Sequence, residues 1–409
     1  MAWADIVIVG AGAAGLMAGI YAGRVAPERS IVVLDGARTL GAKILVAGGG
    51  RCNVTHDAVD ASAYAGSSQH AIATVLRRFD VPHTIDFFRE LGVELKCEET
   101  GKLFPTSDSA RDVLRALLAG AAHARVTINH PCRVETIERL DDRFRVGGAW
   151  GMLDAGKLIL ATGGKSLPKS GSDGQGYRLV QALGHRLTEQ IFPALVPLLL
   201  PHDHFLCALS GIATPATLEL WSGTGKRLHA ITGAALCTHF GLSGPAVLDI
   251  SRYYLHAHHA DPAATLTINW LPEHSAEQFD RELQALGPRT PLAYLRALLP
   301  ERLARALCAA ADVDPGTPGH VLSRARRMAL VRCCSRLPLP FTGSRGYTFA
   351  EVTAGGVPLA DIQLRTMESR RCPGLYLCGE ICDVDGRIGG FNFQWAWASG
   401  YVAGVAAAT

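Results

Sequence analysis

Apolar, β-branched runs alternate with segments of helical periodicity over the first 190 residues. The apolar runs predict buried strands, at residues 5–9, 31–34, 125–129, 132–138, 143–148 and 157–161. The segments between them predict helices, at residues 13–25, 68–79, 82–91 and 109–123. Strands that alternate with helices in this way are typical of an α/β domain built around a parallel sheet.

The pattern changes near Phe192 and changes back near Gly343. Short strand-like runs at 216–220 and 264–268 are separated by turns rich in glycine and serine, and a helical stretch follows them. We therefore predict one domain whose chain is interrupted by an insertion. The predicted parts are the domain at 1–193 and 343–409 and an insertion at 194–342, which comprises a small β-barrel at about 194–272 and a helical subdomain at about 273–336.

The first strand runs into a glycine motif with a helix behind it. Gly10 permits a tight turn, Gly12 allows backbone to approach a pyrophosphate, and Gly15 allows the helix to pack on the strand. The second strand ends at Asp35, twenty residues after Gly15, where a carboxylate binds a ribose hydroxyl. These residues, with Ala13 and Ala14 in the first helical turn, predict a site for an adenine dinucleotide.

Two later segments decide which dinucleotide is bound. A strand ends in Ala161-Thr162-Gly163, which is the usual return of the chain to the flavin adenine dinucleotide (FAD) site in flavoproteins of the glutathione-reductase type. Near the end, a strand runs into a glycine-rich segment and a helix. Its predicted site residues are Gly379, Glu380, Asp383, Gly389, Gly390, Phe391 and Asn392. A binding site for a nicotinamide dinucleotide does not require this last segment, so we predict that a Rossmann-like domain binds FAD. Val134 is predicted to lie beside the adenine.

A third glycine-rich stretch, residues 41–55, is also predicted to lie against the cofactor. Three consecutive glycines cost backbone entropy and suit a place where backbone lies flat on a ligand. Arg51 offers a planar fork to phosphate or a carbonyl-rich ring, and Asn53 both donates and accepts hydrogen bonds. The predicted contacts in this stretch are Lys43, Gly49, Gly50, Arg51, Cys52 and Asn53. A surface loop with a structural arginine is the alternative.

Composition excludes several classes of protein. The eleven cysteines include no Cys-x-x-Cys pair, so we predict neither a metal site nor a dithiol reductase. No apolar run is long enough to span a bilayer, and the first strand begins almost at Met1, so we expect a cytoplasmic protein without a membrane partner. The net charge of +3 does not require a nucleic-acid partner. Five arginines between Arg324 and Arg336 form a basic stretch that is either an RNA-binding track or, more simply, a solvated helix face.

Several motifs together resemble the BaiN/RdsA-type flavoproteins, a bacterial family of NAD(P)/FAD-dependent oxidoreductases also described as aminoacetone-oxidase-like. The matching stretches span nearly the whole chain, in order, at 48–53, 238–245, 352–357, 366–369, 379–386 and 389–392. The resemblance implies a FAD domain with an inserted β-barrel and helical subdomain. Ala47 stands where this family often has serine, and Cys382 where it often has leucine.

The resemblance implies redox chemistry on one of two kinds of acceptor. Members are linked to reduction of unsaturated bile-acid intermediates and to dihydrouridine formation in ribosomal RNA, which both add hydrogen across a carbon–carbon double bond. The chain has a single GxGxxG motif, so NADH or NADPH is expected to act as a transient donor. Cys52 and His239 are the candidate proton donors. An oxygen-using oxidase of small amines is the alternative function.

Overall fold

The computed structural model describes residues 2–409 and divides them into two compact units. The first unit comprises residues 2–193 and 351–409, and the second comprises Ala194–Ala350. Met1, the start of the predicted first domain segment, lies outside the described residues. The second unit extends past the predicted boundary at 342, because the strand Gly343–Ser344 pairs with Leu198–Leu199 of the same unit.

The first part of the first unit alternates strands and helices. Its strands are β1 (Ala2–Val9), β2 (Ile31–Leu34), β3 (Thr55–His56), β4 (Tyr64–Gly66), β5 (Leu95–Cys97), β6 (Lys102–Pro105), β7 (Thr127–Asn129), β8 (Thr136–Leu140), β9 (Arg143–Gly148), β10 (Gly151–Leu160) and β11 (Phe192–Ala194). Its helices are α1 (Ala13–Val25), α2 (Ala42–Gly50), α3 (Gln69–Leu76), α4 (Val81–Glu90), α5 (Ala110–His123) and α6 (Gln175–Ala182). The α/β prediction is confirmed, with helix ends displaced by a few residues.

The second unit begins with strands and continues into helices. Its strands are β12 (Leu198–Leu199), β13 (Ala213–Trp221), β14 (Arg227–Thr238), β15 (Gly241–Ser243), β16 (Thr265–Asn269), β17 (Leu337–Leu339) and β18 (Gly343–Ser344). Its helices are α7 (Pro245–Ala260), α8 (Ala276–Gln284), α9 (Pro291–Leu295), α10 (Glu301–Ala310) and α11 (Arg324–Ser335). The runs at 216–220 and 264–268 are confirmed as strands.

The last segment returns to the first unit. It contributes β19 (Val352–Ala354), β20 (Ile362–Gln363), β21 (Glu368–Ser369), β22 (Leu375–Leu377), β23 (Val384–Gly386) and the long helix α12 (Phe391–Ala408). Short 3-10 helices complete the chain, at Ala61–Ala63, Pro168–Ser170, Phe205–Leu209, Gly319–Val321, Leu359–Asp361 and Gly379–Ile381. Among residues 2–409, no helix has both the length and the apolar character needed to cross a bilayer.

The core of the first unit is a parallel sheet in the order β7-β2-β1-β10-β22. Ile6, Val7 and Ile8 of β1 are fully buried at its centre, because both faces of a parallel sheet are covered. The carboxyl ends of β1, β2, β10 and β22 meet at one edge, which is where ligands bind in open α/β sheets. The three segments of the predicted FAD site follow three of these strands.

Helices α1 and α12 pack closely because glycines face the partner backbone. A Cβ added to Gly404 would lie 2.2 Å from the carbonyl oxygen of Ala18, and one added to Gly400 would lie 2.5 Å from that of Ala14. Any side chain at these positions would therefore push the helices apart. This contact holds the last helix of the chain against the helix that follows the glycine motif.

Two structural predictions require correction. The strand predicted at 132–138 begins only at Thr136, because the preceding backbone is bonded elsewhere: the amide of Cys132 donates to Asp35 O at 2.6 Å, and the Trp150 indole donates to Arg133 O. The predicted β-barrel is an antiparallel sheet whose hydrogen-bonded order runs from β17 through β16, β13, β14, β15 and β12 to β18. Its strands also extend past the predicted limit of 272, with α7 lying between β15 and β16.

A buried histidine lies at the edge of the first unit. The side chain of His185 is fully buried, and its Nε2 lies 2.7 Å from Ser369 Oγ. Its Nδ1 lies 4.0 Å from Asp361 Oδ2, and this carboxylate accepts two hydrogen bonds from Arg371, at 2.7 and 3.0 Å. The Ser369 hydroxyl already accepts the amides of Arg371 and Cys372, so it suits the neutral imidazole as a donor to Nε2.

We expect His185 to make the protein less stable in mild acid. Burial lowers the pKa of His185, and Arg371 lowers it further against the opposing effect of Asp361. The unfolded chain, whose histidines titrate near 6.5, then binds the proton more readily than the folded chain, so the free energy of unfolding falls as pH drops below about 6.5. His185→Gln should flatten the decline of Tm between about pH 7 and pH 5, measured beside the wild type. Parallel declines in the two proteins would contradict the assignment.

Candidate functional site

The glycine motif forms a tight loop between β1 and α1. Gly10 has φ +104°, and a Cβ there would lie 2.5 Å from Ala161 O. A Cβ on Gly15 would lie 1.9 Å from Gly10 O. Gly12 is different, because a Cβ there would meet no atom within 4 Å. The loop is therefore closed at Gly10 and Gly15 and open at Gly12, as a loop that receives a pyrophosphate requires.

Asp35 follows β2 and contacts this loop. Its Oδ2 accepts the amide of Ala11 at 2.6 Å, and its Oδ1 accepts the amide of Ala37 at 2.7 Å. Each carboxylate oxygen keeps a second lone pair, so the side chain can still accept ribose hydroxyls. The two backbone bonds fix the orientation of the carboxylate beside the phosphate loop.

The segments after β10 and β22 meet at a lysine from α2. Lys43 Nζ donates to Glu380 Oε2 at 2.5 Å and to Ser172 Oγ at 3.0 Å. Glu380 Oε1 accepts the amide of Thr353 at 3.0 Å. A Cβ on Gly163 would lie 2.7 Å from Ser172 Oγ and 3.8 Å from Lys43 Nζ. The structure thus brings together Lys43, Gly163 and Glu380, and it adds two residues that the sequence analysis missed, Ser172 and Thr353.

The triple-glycine stretch departs from helical geometry within α2. Ala47 has ψ 142°, and Gly48, Gly49 and Gly50 have φ of +57°, +70° and +88°. These left-handed conformations favour glycine, and they carry the chain from α2 into Cys52 and Asn53. Asn53 is buried, and its Oδ1 has no hydrogen-bond partner among residues 2–409. A buried acceptor without a partner indicates a position where a ligand supplies the donor.

Arg51 is held by the protein itself. Its guanidinium donates to Glu98 Oε1 at 2.6 Å and lies 4.0 Å from the centroid of the Phe104 ring. Its predicted contact with phosphate or a carbonyl-rich ring stays a prediction, and these contacts also agree with the alternative of a structural arginine. The Phe104 ring and the Glu98 carboxylate explain its position, since an arginine both stacks on aromatic faces and pairs with carboxylates.

Cys52 is a fully buried thiol in a left-handed conformation. Its φ is +61°, its exposed fraction is 0%, and burial raises the pKa of its thiol to about 12. The charge of the neighbouring Arg51 is paired with Glu98 at 2.6 Å. The thiol stays protonated at neutral pH, and it releases its proton reluctantly.

The amino terminus of α12 lies beside Thr55 and His56. A Cβ on Gly390 would lie 2.6 Å from Thr55 O, and the His56 ring stacks on Phe391 at a centroid distance of 4.8 Å. Tyr64 donates to Phe391 O at 2.7 Å. Gly389 and Gly390 precede α12 with φ of +123° and +95°, and the first amides of α12, as at any helix start, have no acceptor within the helix. His56 and Tyr64 are site neighbours that no sequence motif indicated.

The side chains of Asn392 and Asp383 form hydrogen bonds to other residues of the protein. Asn392 Oδ1 accepts the amide of Gly386 at 2.8 Å, and its Nδ2 donates to Gly386 O at 3.0 Å. These two hydrogen bonds give Asn392 a structural role that does not require contact with the flavin. Asp383 is buried, and its Oδ2 lies 3.3 Å from Ser67 Oγ, which donates to it. Both side chains shape the segment between β22 and α12.

The remaining predicted contacts lie along the same edge of the sheet. Val134 and Ala161 are buried, and a Cβ on Gly379 would lie 2.8 Å from that of Ala14, which places the third segment against the first turn of α1. Thr162 Oγ1 is buried without a hydrogen-bond partner among the residues that the structure describes. Together with Asn53 Oδ1, the Thr162 hydroxyl is the second buried polar atom of the predicted site that lacks a partner.

His239 belongs to the second unit. It lies in the turn between β14 and β15, it is exposed, and its ring meets Phe240 edge-on at a centroid distance of 5.0 Å. Its proposed role as a proton donor stays a prediction.

The residues of the first unit fit FAD. The space in front of Gly12 is open, the α1 amino terminus adjoins it, and Asn53 and Thr162 each present a buried polar atom without a partner. These features occur together at the sheet edge where the strands of a Rossmann-like domain bind a dinucleotide.

We expect the purified protein to be yellow and to hold one non-covalent FAD per chain. Burial raises the pKa of Cys378 to about 12, and burial also raises that of Cys382, so neither thiol is a reactive thiolate. Acid precipitation should release the flavin into the supernatant, where chromatography identifies it as FAD. Flavin that stays with the pellet, or FMN in its place, would contradict this expectation.

Two solved structures share this fold over the whole chain. The FrdA subunit of quinol–fumarate reductase from E. coli has a TM-score of 0.52 and 15% identity, covering 100% of this chain and 70% of that one. A 3-ketosteroid Δ1-dehydrogenase from Sterolibacterium denitrificans has a TM-score of 0.54 and 13% identity, covering 100% of both chains. At this level of identity they show the fold alone.

The fold and the site define a FAD-dependent oxidoreductase with a Rossmann-like domain. Residues 4–406 match the HI0933-like protein Rossmann domain, and the chain belongs to that family.

Curated relatives align over nearly the whole chain. A 3-dehydro-bile acid delta(4,6)-reductase from Clostridium scindens is 35% identical over 407 residues, 98% of each chain. A ribosomal RNA dihydrouridine synthase from Escherichia coli is 34% identical over 400 residues, 97% of this chain and 96% of that one. A protein of the same name from Haemophilus influenzae is 32% identical over 408 residues, 98% of this chain and 97% of its own. The resemblance stated from the motifs is confirmed.

Proposed function

We propose that this protein uses FAD to reduce a carbon–carbon double bond, with NADH or NADPH as a transient donor. The observation that carries the proposal is the end-to-end alignment with relatives named for two such reductions, of a bile acid and of uridine in ribosomal RNA. Both reactions deliver a hydride and a proton to adjacent carbons. We place this reaction in the cytoplasm.

Different residues of the first unit would bind different parts of the cofactor. The amides at Gly12 and the amino terminus of α1 would bind the pyrophosphate, and Asp35 would bind the adenosine ribose. Lys43, held by Glu380 and Ser172, places a positive charge beside Gly163. Asn53 would use its unpaired Oδ1 to accept a hydrogen bond from the ring. When bound, FAD supplies the hydride.

The amino terminus of α12 would stabilise the negative charge of the reduced ring. Gly389 and Gly390 leave its first amides free of side chains, and the partial positive charge of a helix start favours an anion. Trp395 and Ser399 fix this helix to the third segment, because Trp395 Nε1 donates to Gly379 O at 3.1 Å and Gly379 N donates to Ser399 Oγ at 2.9 Å. The helix and the segment therefore keep one relative position.

The acceptor is either a small unsaturated molecule or uridine in ribosomal RNA. The basic stretch adds little support for RNA, since Arg326 pairs with Asp312 at 2.9 Å and Arg327 pairs with Asp280 at 2.7 Å. These pairs neutralise two of the five arginines of the stretch and so favour the simpler interpretation of α11 as a solvated helix face.

Two measurements test the proposal. Mixing the holoenzyme with NADH or NADPH without oxygen should bleach the flavin absorbance, and fast reoxidation in air with release of peroxide would favour the oxidase instead. Nucleoside analysis of ribosomal RNA from a deletion strain should show loss of dihydrouridine if RNA is the acceptor, with restoration by the wild-type gene. Unchanged dihydrouridine would direct the search to small unsaturated acceptors.

A further inference from the structure

An arginine of the second unit lies between two aromatic rings. The guanidinium carbon of Arg345 is 4.3 Å from the centroid of the Phe240 ring and 3.3 Å from that of Phe349. Both distances are within the range of cation–π contact. Contact with two rings restricts the movement of the guanidinium, whose N–H donors lie in its own plane.

Local backbone structure holds both rings in place. Arg345 follows β18, and its amide donates to Pro197 O at 3.0 Å. Gly346, at φ +70°, turns the chain, and the amide of Phe349 donates to Gly346 O at 3.1 Å, so that Phe349 returns to Arg345. On the other side, Phe240 lies in the turn between β14 and β15, which Thr238 Oγ1 closes by donating to Gly241 O at 2.9 Å.

The charge of Arg345 is not neutralised nearby. Within residues 2–409, no hydrogen bond or ion pair engages its guanidinium. The stretches 195–201, 237–245 and 339–350 contain no aspartate or glutamate, and Glu351 directly follows the last of them. Arg326, Arg327 and Arg371 by contrast each pair with a carboxylate. The Arg345 residue is half-exposed, so a ligand can reach it from solvent.

We propose that Arg345 binds an oxyanion, the phosphate or carboxylate group of a small ligand, at a site that it forms with Phe240 and Phe349 of the same unit. A planar guanidinium matches either group with two parallel hydrogen bonds, and stacking lowers the entropy lost when they form. Binding of the anion at Arg345 does not depend on the proposed function.

The test measures protection of Arg345 from an arginine reagent. The FAD-loaded protein is treated with phenylglyoxal in chloride, inorganic phosphate or acetate at equal ionic strength, and modified peptides are quantified by mass spectrometry. Phosphate, acetate or both should slow modification of Arg345 by about tenfold when the anion is present at about ten times its dissociation constant, because about a tenth of the sites are then free. Arg365, an exposed arginine of the first unit, should react equally in all three solutions and serves as the internal control.

Variants separate a built site from a solvated side chain. Phe349→Leu should keep Arg345 reactive but remove most of the protection, because the guanidinium loses one of its two rings. If phosphate alone protects Arg345, the natural ligand carries a phosphate group, as a nucleotide does. If acetate alone protects it, the natural ligand is a small organic acid. Equal reaction in all three solutions, or no reaction of Arg345 in any, would overturn the proposal. None of these results depends on turnover, so bleaching by NADH or NADPH tests the proposed function separately.

Discussion

Gly12→Val is expected to give a folded, colourless protein. Gly12 has extended backbone angles, φ −80° and ψ −171°, which any residue adopts, and a Cβ there meets no protein atom within 4 Å. The branched side chain therefore fits the polypeptide but occupies the space of the pyrophosphate. The measurement is the flavin absorbance per chain after purification, beside circular dichroism to show that the fold is kept.

Gly15→Val is the matched control for this experiment. Its Cβ would lie 1.9 Å from Gly10 O, so this variant should lose the fold as well as the flavin. A yellow Gly12→Val protein with one flavin per chain would show that the cofactor lies elsewhere.

Loss of the proton donor should reduce turnover of the acceptor by about two to four orders of magnitude, the usual contribution of a positioned acid. Cys52→Ala and His239→Ala are compared on one acceptor, with reduction by NADH or NADPH measured in each. The variant of the true donor should keep its FAD and its reduction rate but lose turnover. We expect the larger loss in His239→Ala, because the buried Cys52 thiol, with a pKa of about 12, is a poor acid.

A large loss in Cys52→Ala alone would reverse this assignment. If both variants keep near-full turnover, water or another residue supplies the proton, and both sequence-based candidates are wrong. Cys52→Ser is a useful third variant, since it keeps a hydrogen-bonding group of similar size at the strained φ of +61°.

The strands and glycines of the first unit follow from the sequence because local chemistry dictates them. A β-branched run makes β1, and Gly15 must lack a side chain for α1 to pack on it. The contacts of side chains that cross between distant segments do not follow. Ser172 and Thr353 carried no signal of their own, and their roles arise only when the chain brings them to Lys43 and Glu380.

The errors share a physical cause, which is competition from tertiary partners. Residues 132–134 continue the apolar pattern around Val134, but the bonds from Cys132 N to Asp35 O and from Trp150 Nε1 to Arg133 O direct this backbone to partners outside the strand. Arg51 has the chemistry of a phosphate ligand, and its contacts with Glu98 and Phe104 come from segments that the local sequence does not indicate. Strand pairing in the insertion depends on partners up to 146 residues apart, Leu198 and Ser344 among them, which no local pattern reveals.

The packing of α12 on α1 has a consequence for synthesis on the ribosome. Helix α1 cannot pack on its partner α12 until that much later segment has been translated, and β10 likewise depends on the later strand β22. The nascent first unit must therefore remain incomplete until residue 408 has left the exit tunnel, whereas residues 194–350 are all available earlier. Chains that terminate early would expose the apolar faces of α1 and β10, which makes them substrates for chaperones and proteases.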